Sequence, residues 1–226
     1  MSILAASRRT AKHKMRPADR GRAFRRRLLA WYTRHARTLP WRGAQSPYAV
    51  LVSEIMLQQT QVARVVDYYP RFLARYPTLE DLAAAADDAV RESWAGLGYY
   101  ARARNLHATA RRVVAEHDGV LPRAPEALRQ LPGIGRYTAG AVASLAFGAR
   151  VPAVDTNATR VLARVFGLRA GRSLARRTWA IAATLVAPGR PEDVNQGLMD
   201  LGATVCIARR PRCRACPVRS VCAYSA

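Results

Sequence analysis

Leu131-Pro132-Gly133-Ile134-Gly135-Arg136-Tyr137-Thr138 runs directly into Ala139-Gly140-Ala141-Val142-Ala143-Ser144-Leu145-Ala146-Phe147-Gly148. Proline and two glycines at this spacing end one helix and start another. Gly133 and Gly135 let the backbone turn sharply and come close to a neighbouring surface. The amide hydrogens of the turn and of the next helix's first residues then face outward, where they suit an anion such as phosphate. Leu131 and Ile134 are the apolar anchors of the turn. A plain helix–turn–helix connection with a glycine cap fits the same residues, and the surroundings must decide between the two.

The surroundings are helical on both sides. Phe24, Leu28, Leu29, Trp31 and Tyr32 form an apolar stripe over Arg22–Arg37, with the spacing of one helix face. Pro40 and Pro47 interrupt the chain, because residues before proline avoid helical geometry. A second helical stretch, broken or bent, covers Tyr48–Leu73. Thr78 caps Leu79–Ala86, and Asp87–Ala95 follows. Gly96-Leu97-Gly98 turns into a long basic helix, Ala101–His117. Pro125–Gln130, Tyr137–Phe147, Thr156–Phe166, Ser173–Ala187 and Glu192–Gly202 complete the set. No segment alternates as a strand does, so the expected class is all-α.

Charge points to the partner. The 226 residues carry 37 Lys+Arg against 15 Asp+Glu, a net charge of +22. The segment Met1–Arg27 holds ten basic residues and one acid, which leaves +13 for the rest of the chain. A body this basic favours a polyanion, nucleic acid before a membrane surface or a ribosomal assembly. No apolar run is long enough to span a bilayer. The Arg-rich start has no apolar centre of the kind a secretory signal needs, though a mitochondrial-type presequence shares its composition.

Two acids stand alone in apolar company. Glu54 is the only acid between Asp19 and Asp67, beside Val50, Leu51, Ile55, Met56 and Leu57. Asp155 is the only acid between Glu126 and Glu192, beside Val151, Ala153 and Val154. An N-cap explains Asp155 and a structural hydrogen bond explains Glu54. An acid near a DNA-binding face, however, gains nothing from electrostatics, and chemistry is the other explanation. The four cysteines, Cys206, Cys213, Cys216 and Cys222, all fall in the last 21 residues as C-x6-C-x2-C-x5-C. Such clustering reads as a metal or cluster site ahead of two disulfides, and a zinc ribbon would show a second C-x2-C knuckle.

Several of these stretches resemble one family. LPGIGRYTAGAVASLAFG is similar to the helix-hairpin-helix of base-excision DNA glycosylases. Ser53-Glu54-Ile55-Met56-Leu57-Gln58-Gln59-Thr60-Gln61 and Gly98-Tyr99-Tyr100-Ala101-Arg102-Ala103-Arg104-Asn105-Leu106-His107 resemble the patterns of MutY-type adenine DNA glycosylases. Val154-Asp155-Thr156-Asn157 resembles the superfamily's aspartate turn, with Thr156 where the MutY pattern commonly has glycine. The cysteine spacing resembles the [4Fe–4S] loop of endonuclease III and MutY, and Arg209, Arg210, Arg212 and Arg214 inside it imply a basic loop facing DNA.

The resemblance covers roughly Arg34–Tyr224 and implies two helical lobes with the DNA groove between them. A six-helix barrel with the hairpin is expected over 47–148, and an iron–sulfur lobe over 22–46 plus 149–226, after a basic, flexible tail over 1–21. It makes Glu54, Asp155, Tyr137 and Asn157 the catalytic set. Glu54 would protonate the departing base and Asp155 would stabilise the oxocarbenium-like sugar. One acid must be protonated and the other ionised at one pH, and burial of Glu54 with helix-end amides at Asp155 separates them. Arg37, Trp41, Leu57, Val62 and Gln196 would line the base pocket, while Gly133 and Gly135 hold the backbone. Gln59 and Tyr99 would insert at the flipped pair, with the arginines of the following helix holding phosphates.

Lys12 and Lys14 are the only lysines in the chain. Bifunctional relatives form a Schiff base from a lysine at the place where this chain has Tyr137, so a monofunctional enzyme is expected. The implied activity is excision of mispaired adenine opposite 8-oxoguanine or guanine in double-stranded DNA, by a bacterial-type intracellular monomer working in the cytoplasm and nucleoid. A thymine/uracil glycosylase for T·G and U·G mismatches is the competing enzyme, since tyrosine occupies that place there too. A non-catalytic DNA-binding module is the competitor of another class.

Overall fold

The computed structural model describes residues 16–43 and 46–224, so most of the basic N-terminal tail lies outside the described residues. Within them every regular element is helical. Eleven α-helices follow one another: α1 (Pro17–His35), α2 (Pro47–Met56), α3 (Val62–Arg75), α4 (Leu79–Ala84), α5 (Asp87–Ser93), α6 (Ala101–His117), α7 (Pro125–Leu128), α8 (Arg136–Phe147), α9 (Thr156–Phe166), α10 (Leu174–Val186) and α11 (Pro191–Thr204). Two short 3-10 turns, Cys213–Ala215 and Arg219–Val221, end the chain.

Local chemistry sets the boundaries. Pro17 opens α1 with Asp19 in its first turn, which extends the helix five residues ahead of the start expected at Arg22. Ser46 caps α2, with Pro47 in the first position. The stretch Tyr48–Leu73 breaks at Leu57–Gln61 into α2 and α3. Thr78 and Asp81 form a reciprocal capping box on α4. Left-handed Gly148 and Gly167 end α8 and α9.

Buried apolar side chains gather into two clusters. One is built from Trp41 and the helices from α2 to α8, and includes Phe72, Trp94, Leu106, Leu131 and Ile134. Trp94 is fully buried, edge-on to Phe72 at 5.7 Å between ring centroids. The other joins α1 to α9, α10, α11 and the C-terminal turns through Phe24, Leu28, Leu162, Leu185, Leu198 and Val218. Phe24 and Leu28 are wholly out of water, each worth about 1.5–3 kcal/mol in burial. Among the described residues no helix is long and apolar enough to cross a membrane.

Where the two clusters meet, backbones come very close. A Cβ on Gly140 of α8 would stand 2.3 Å from the Pro152 carbonyl oxygen. A Cβ on Gly202 of α11 would stand 2.6 Å from the Asn157 Cβ. Both glycines therefore let helices press against the segment that carries Asp155. Buried Asn195 completes the seat: its Nδ2 donates to Ser144 Oγ (2.9 Å) and the Val151 carbonyl (3.0 Å), and its Oδ1 accepts from the Ala153 amide (3.0 Å).

Candidate active site

The hairpin bears out the need for glycine at one position and shows another reason at the second. Gly133 has φ +72°, and a Cβ there would meet the Asn105 Cβ at 2.6 Å. Gly135 caps α8 with ordinary extended geometry, and a Cβ would meet nothing within 4 Å. The fold does not require glycine at 135, so the space it leaves open lies on the outside, at the exposed N-terminus of α8.

A cleft of about 1070 Å³ opens beside this hairpin and is lined from both clusters. Every residue singled out above for catalysis or base and backbone contact lines it, except Tyr99: Glu54, Tyr137, Asp155, Asn157, Arg37, Trp41, Leu57, Gln59, Val62, Gly133, Gly135 and Gln196. Residues more than 100 positions apart in the chain thus line one cleft, whose volume is at the upper end of the range for small-ligand pockets.

Glu54 projects from a helix whose residues from Tyr48 to Met56 are all buried. Its carboxyl is 5% exposed and its Oε2 has no hydrogen-bond partner. Burial pushes its pKa from the ordinary 4.5 to about 7. The neighbouring Tyr137 hydroxyl pulls it back, the Asp155 charge pushes it further up, and Arg42 again lowers it. Tyr137 is held well above its own usual range, first by burial and then by the charges of Glu54 and Asp155. It stays a neutral phenol, whose hydroxyl donates to the Met199 sulfur at 3.8 Å. Glu54 is therefore a carboxylic acid that still carries its proton through much of the neutral range.

Asp155 is the N-cap of α9, and it also faces the cleft; the two explanations offered for it coincide. Its Oδ1 accepts from the Ala158 amide at 2.6 Å, and its Oδ2 accepts from Asn157 Nδ2 at 2.9 Å. These are the bonds of a carboxylate held at a helix N-terminus. Asn157 is itself fixed, because Arg160 Nη2 donates to its Oδ1 at 2.7 Å and to the Gly202 carbonyl at 2.8 Å. Arg160 Nε donates to the Cys206 carbonyl at 2.8 Å, which ties the aspartate turn to the cysteine loop. Thr156, the departure from the family pattern, is exposed and leaves the cap intact.

A polar group that sequence reasoning missed lies behind another wall, beneath the lining residues Arg37 and Arg42. Asp200 is completely buried and holds two arginines: Arg37 Nε at 2.7 Å and Arg42 Nη2 at 2.8 Å. The Arg37 amide adds a third bond at 3.1 Å. Arg42 also reaches Gln196 Oε1 at 2.8 Å and the Tyr32 hydroxyl, which in turn donates to Gln196. The only signal for Asp200 is an acid inside the apolar run Leu198-Met199-Asp200-Leu201, the same pattern that drew attention to Glu54.

One expectation is corrected. Arg102 was read with Arg104 as holding phosphates, and Arg104 is indeed exposed, but Arg102 is 7% exposed and turned inward. Its guanidinium is used up on protein carbonyls between the α2 end and the loop before α6. These bonds offset a burial that otherwise disfavours the guanidinium charge.

The four cysteines converge on one small pocket apart from the cleft. All four are half-buried free thiols, so the disulfide alternative is not what the chain adopts. Burial pushes the thiols of Cys216 and Cys222 up, and the neighbouring cysteines push them further. Holding these four sulfurs as thiolates calls for a cation. Arg164 braces the loop, donating to the carbonyls of Ile207 and Ala208 at 2.8 Å each and lying 3.4 Å from Cys206 Sγ. Arg209, Arg210, Arg212 and Arg214 point their charge to solvent.

Comparison with known proteins follows the same lines. Residues 52–183 match the family described as HhH-GPD superfamily base excision DNA repair protein. The chain is 51% identical to the adenine DNA glycosylase of Rattus norvegicus over 212 residues, 88% of this chain and 41% of that protein. It is 50% identical to the adenine DNA glycosylase of Homo sapiens over 222 residues, 93% of this chain and again 41% of that protein. The chain thus spans about two fifths of the length of these relatives. The Mycobacterium tuberculosis adenine DNA glycosylase is 46% identical over 195 residues, 84% of this chain and 64% of that one. Among solved structures, a thermostable thymine-DNA glycosylase superposes with a TM-score of 0.84 at 34% identity, covering 92% of this chain and 97% of that one. An endonuclease III in a non-covalent complex with DNA gives 0.79 at 24% identity over 93% and 97%, a likeness of fold.

Proposed function

Since the chain belongs to the HhH-GPD superfamily of base excision DNA repair proteins, we propose that it is a monofunctional DNA glycosylase that removes adenine mispaired with 8-oxoguanine or guanine. The carrying observation is the pair of carboxyls on one cleft, with Glu54 buried and protonatable near neutrality and Asp155 held as a helix cap. Double-stranded DNA docks its backbone at the hairpin around Gly133 and Gly135, and the adenine swings into the cleft between Trp41, Leu57 and Val62.

Glu54 then gives its proton to a ring nitrogen of the adenine. The bond between the base nitrogen and the sugar C1′ breaks, and its electron pair leaves with the base. The positive charge left on the sugar is stabilised by the Asp155 carboxylate, which Asn157 and the Ala158 amide keep in place. Water adds to C1′ and loses a proton, leaving an abasic site. With Tyr137 where an amine would be needed for strand cleavage, the reaction stops there.

Cys206, Cys213, Cys216 and Cys222 hold a [4Fe–4S] cluster in this reading. An all-thiol donor set suits it. When bound it supplies structural cross-linking of the basic loop, which Arg160 and Arg164 join to α9.

The thymine/uracil reading is kept alive by the 34% identical thymine-DNA glycosylase, which this chain covers almost end to end. The test uses labelled duplexes with A opposite 8-oxoguanine, A opposite G, T opposite G and U opposite G, each treated with alkali. Breakage at adenine only after alkali is the expected result. Breakage at T or U instead moves the enzyme to the mismatch thymine class, and tight binding without breakage makes it a non-catalytic module.

A further inference from the structure

Two exposed residues, one lining the cleft and one on the loop before α6, hold backbone conformations that residues with a Cβ rarely adopt. Gln59, in the turn after α2, has φ 57°, and Tyr99, just before α6, has φ 49°. Both are exposed, Tyr99 by 58%. Left-handed geometry at such residues persists only where the surroundings impose it.

A single buried guanidinium imposes it at both. Arg102 Nη1 donates to the carbonyls of Ile55 (3.0 Å), Met56 (2.7 Å) and Gln58 (2.5 Å). Its Nη2 donates to Thr60 Oγ1 (2.9 Å) and to the carbonyls of Leu97 (3.3 Å) and Gly98 (3.1 Å). The peptide units that enter Gln59 and Tyr99, the carbonyls of Gln58 and Gly98, are thus pinned by the same group. The guanidinium also lies 5.5 Å from the ring centroids of Tyr99 and Trp94. Its Nε has no partner, a polar atom left unsatisfied inside the protein. Capping of α2 accounts for the bonds to Ile55 and Met56 but not for those to Leu97 and Gly98.

We propose that Arg102 is the positioning residue of a two-part wedge, fixing the two backbone turns that carry Gln59 and Tyr99 so that together these side chains displace the target nucleotide from the duplex. The proposal rests on the base-flipping reading above. An exposed side chain on a slack turn yields when pushed against stacked bases, whereas two side chains tied through one planar, doubly bonded group transmit the push. Arg102 itself never reaches DNA.

The test compares the full-length holoenzyme with Arg102→Met, Arg102→Lys, Tyr99→Ala and the double variant Arg102→Met/Tyr99→Ala. Single-turnover excision is followed on paired A·G duplex and on the same strand with the adenine in an unpaired bulge. Arg102→Met should slow the paired substrate about a hundredfold, the cost of a misplaced positioning group, and leave the bulged one nearly unchanged. Arg102→Lys should recover part of the loss, and Arg102→Met should add little once Tyr99 is already alanine. In parallel, 2-aminopurine beside the mismatch reports unstacking on binding, a signal that needs no chemistry, and it should fall in Arg102→Met. Equal losses on both substrates with an undiminished fluorescence rise would reduce Arg102 to a helix cap and overturn the proposal. If the unaltered protein excises no adenine, the glycosylase reading fails while the fluorescence comparison still decides the wedge. If Arg102→Met does not fold, Arg102→Lys against the parent carries the same comparison.

Discussion

Replacing Glu54 by glutamine should abolish excision and at the same time make the protein more stable, by an amount that depends on pH. Burial holds the Glu54 carboxyl at about 7, against 4.5 for an ordinary glutamate. The folded chain therefore binds this proton more tightly than the unfolded chain does. Its contribution is fully present below pH 4.5 and is lost as pH rises through 7. At about 1.36 kcal/mol per pH unit, forcing the charge into the fold costs about 3.4 kcal/mol once both states are ionised. Between pH 5 and pH 8 the parent protein should lose about 2.5 kcal/mol that Glu54→Gln, always neutral, does not lose. In a chain of this size that corresponds to a melting shift of roughly 5–10 °C in favour of the variant at pH 8. Urea denaturation of both proteins at pH 5, 6.5 and 8, with the visible absorbance checked for an intact cluster, measures the difference. Parallel stability curves across that range would refute a neutral Glu54 in the folded protein, and with it the assignment of the proton donor.

The same carboxyl sets the rate profile: single-turnover excision should fall about tenfold per pH unit above 7, because only the protonated acid donates; a flat profile to pH 9 would remove Glu54 from that role. Arg160→Gln cuts the bonds to Asn157, Gly202 and Cys206, and excision should drop about tenfold to a hundredfold with little change in DNA affinity; unchanged single-turnover rates would show that Asn157 holds Asp155 unaided. Asp200→Asn strips the buried partner from Arg37 and Arg42 and should cost about 3 kcal/mol in urea denaturation. It should also move the alkaline fall in rate to lower pH, since an unneutralised Arg42 pulls the Glu54 proton off more strongly; an unmoved limb would mean that Arg42 turns away. Borohydride added during turnover should trap no protein–DNA adduct, and a gel-stable adduct would bring back amine-based strand cleavage.

The features legible in the sequence are those whose chemistry is local. A buried acid shows as one carboxyl inside an apolar run, so Glu54 and Asp155 stood out before any fold was known. The hairpin needs its glycines within three positions, and the cysteine loop lies within 17 residues. What stayed hidden depends on partners far along the chain. Arg42 meets Asp200 from 158 positions away, and Asn195 seats Ala153 from 42. The inward turn of Arg102 depends on carbonyls 44 to 47 positions earlier. An arginine in the first turn of a basic helix reads as a phosphate ligand when nothing shows the carbonyls waiting beneath it.

That two lobes meet at the cleft also explains how two carboxyls come to sit in such different surroundings. Glu54 takes its character from the last turn of a helix buried from Tyr48 to Met56, where burial is the largest influence on it. Asp155 takes its character from a helix start, where unpaired amides point at it. Each environment belongs to a different cluster, so neither has to be compromised to build the other. They remain coupled across the gap, because the Asp155 charge raises the proton affinity of Glu54. In the proposed reaction, as the proton passes to the base, that same charge finds the sugar turning positive beside it. Glu54, now anionic, meets repulsion from Asp155, and the attraction between Asp155 and the sugar, which is stronger in the transition state than in the ground state, offsets it. Arg42 works against this coupling, and its capture by Asp200 keeps the opposing pull small. The buried ion pair on the far wall therefore serves the chemistry as well as the shape of the pocket.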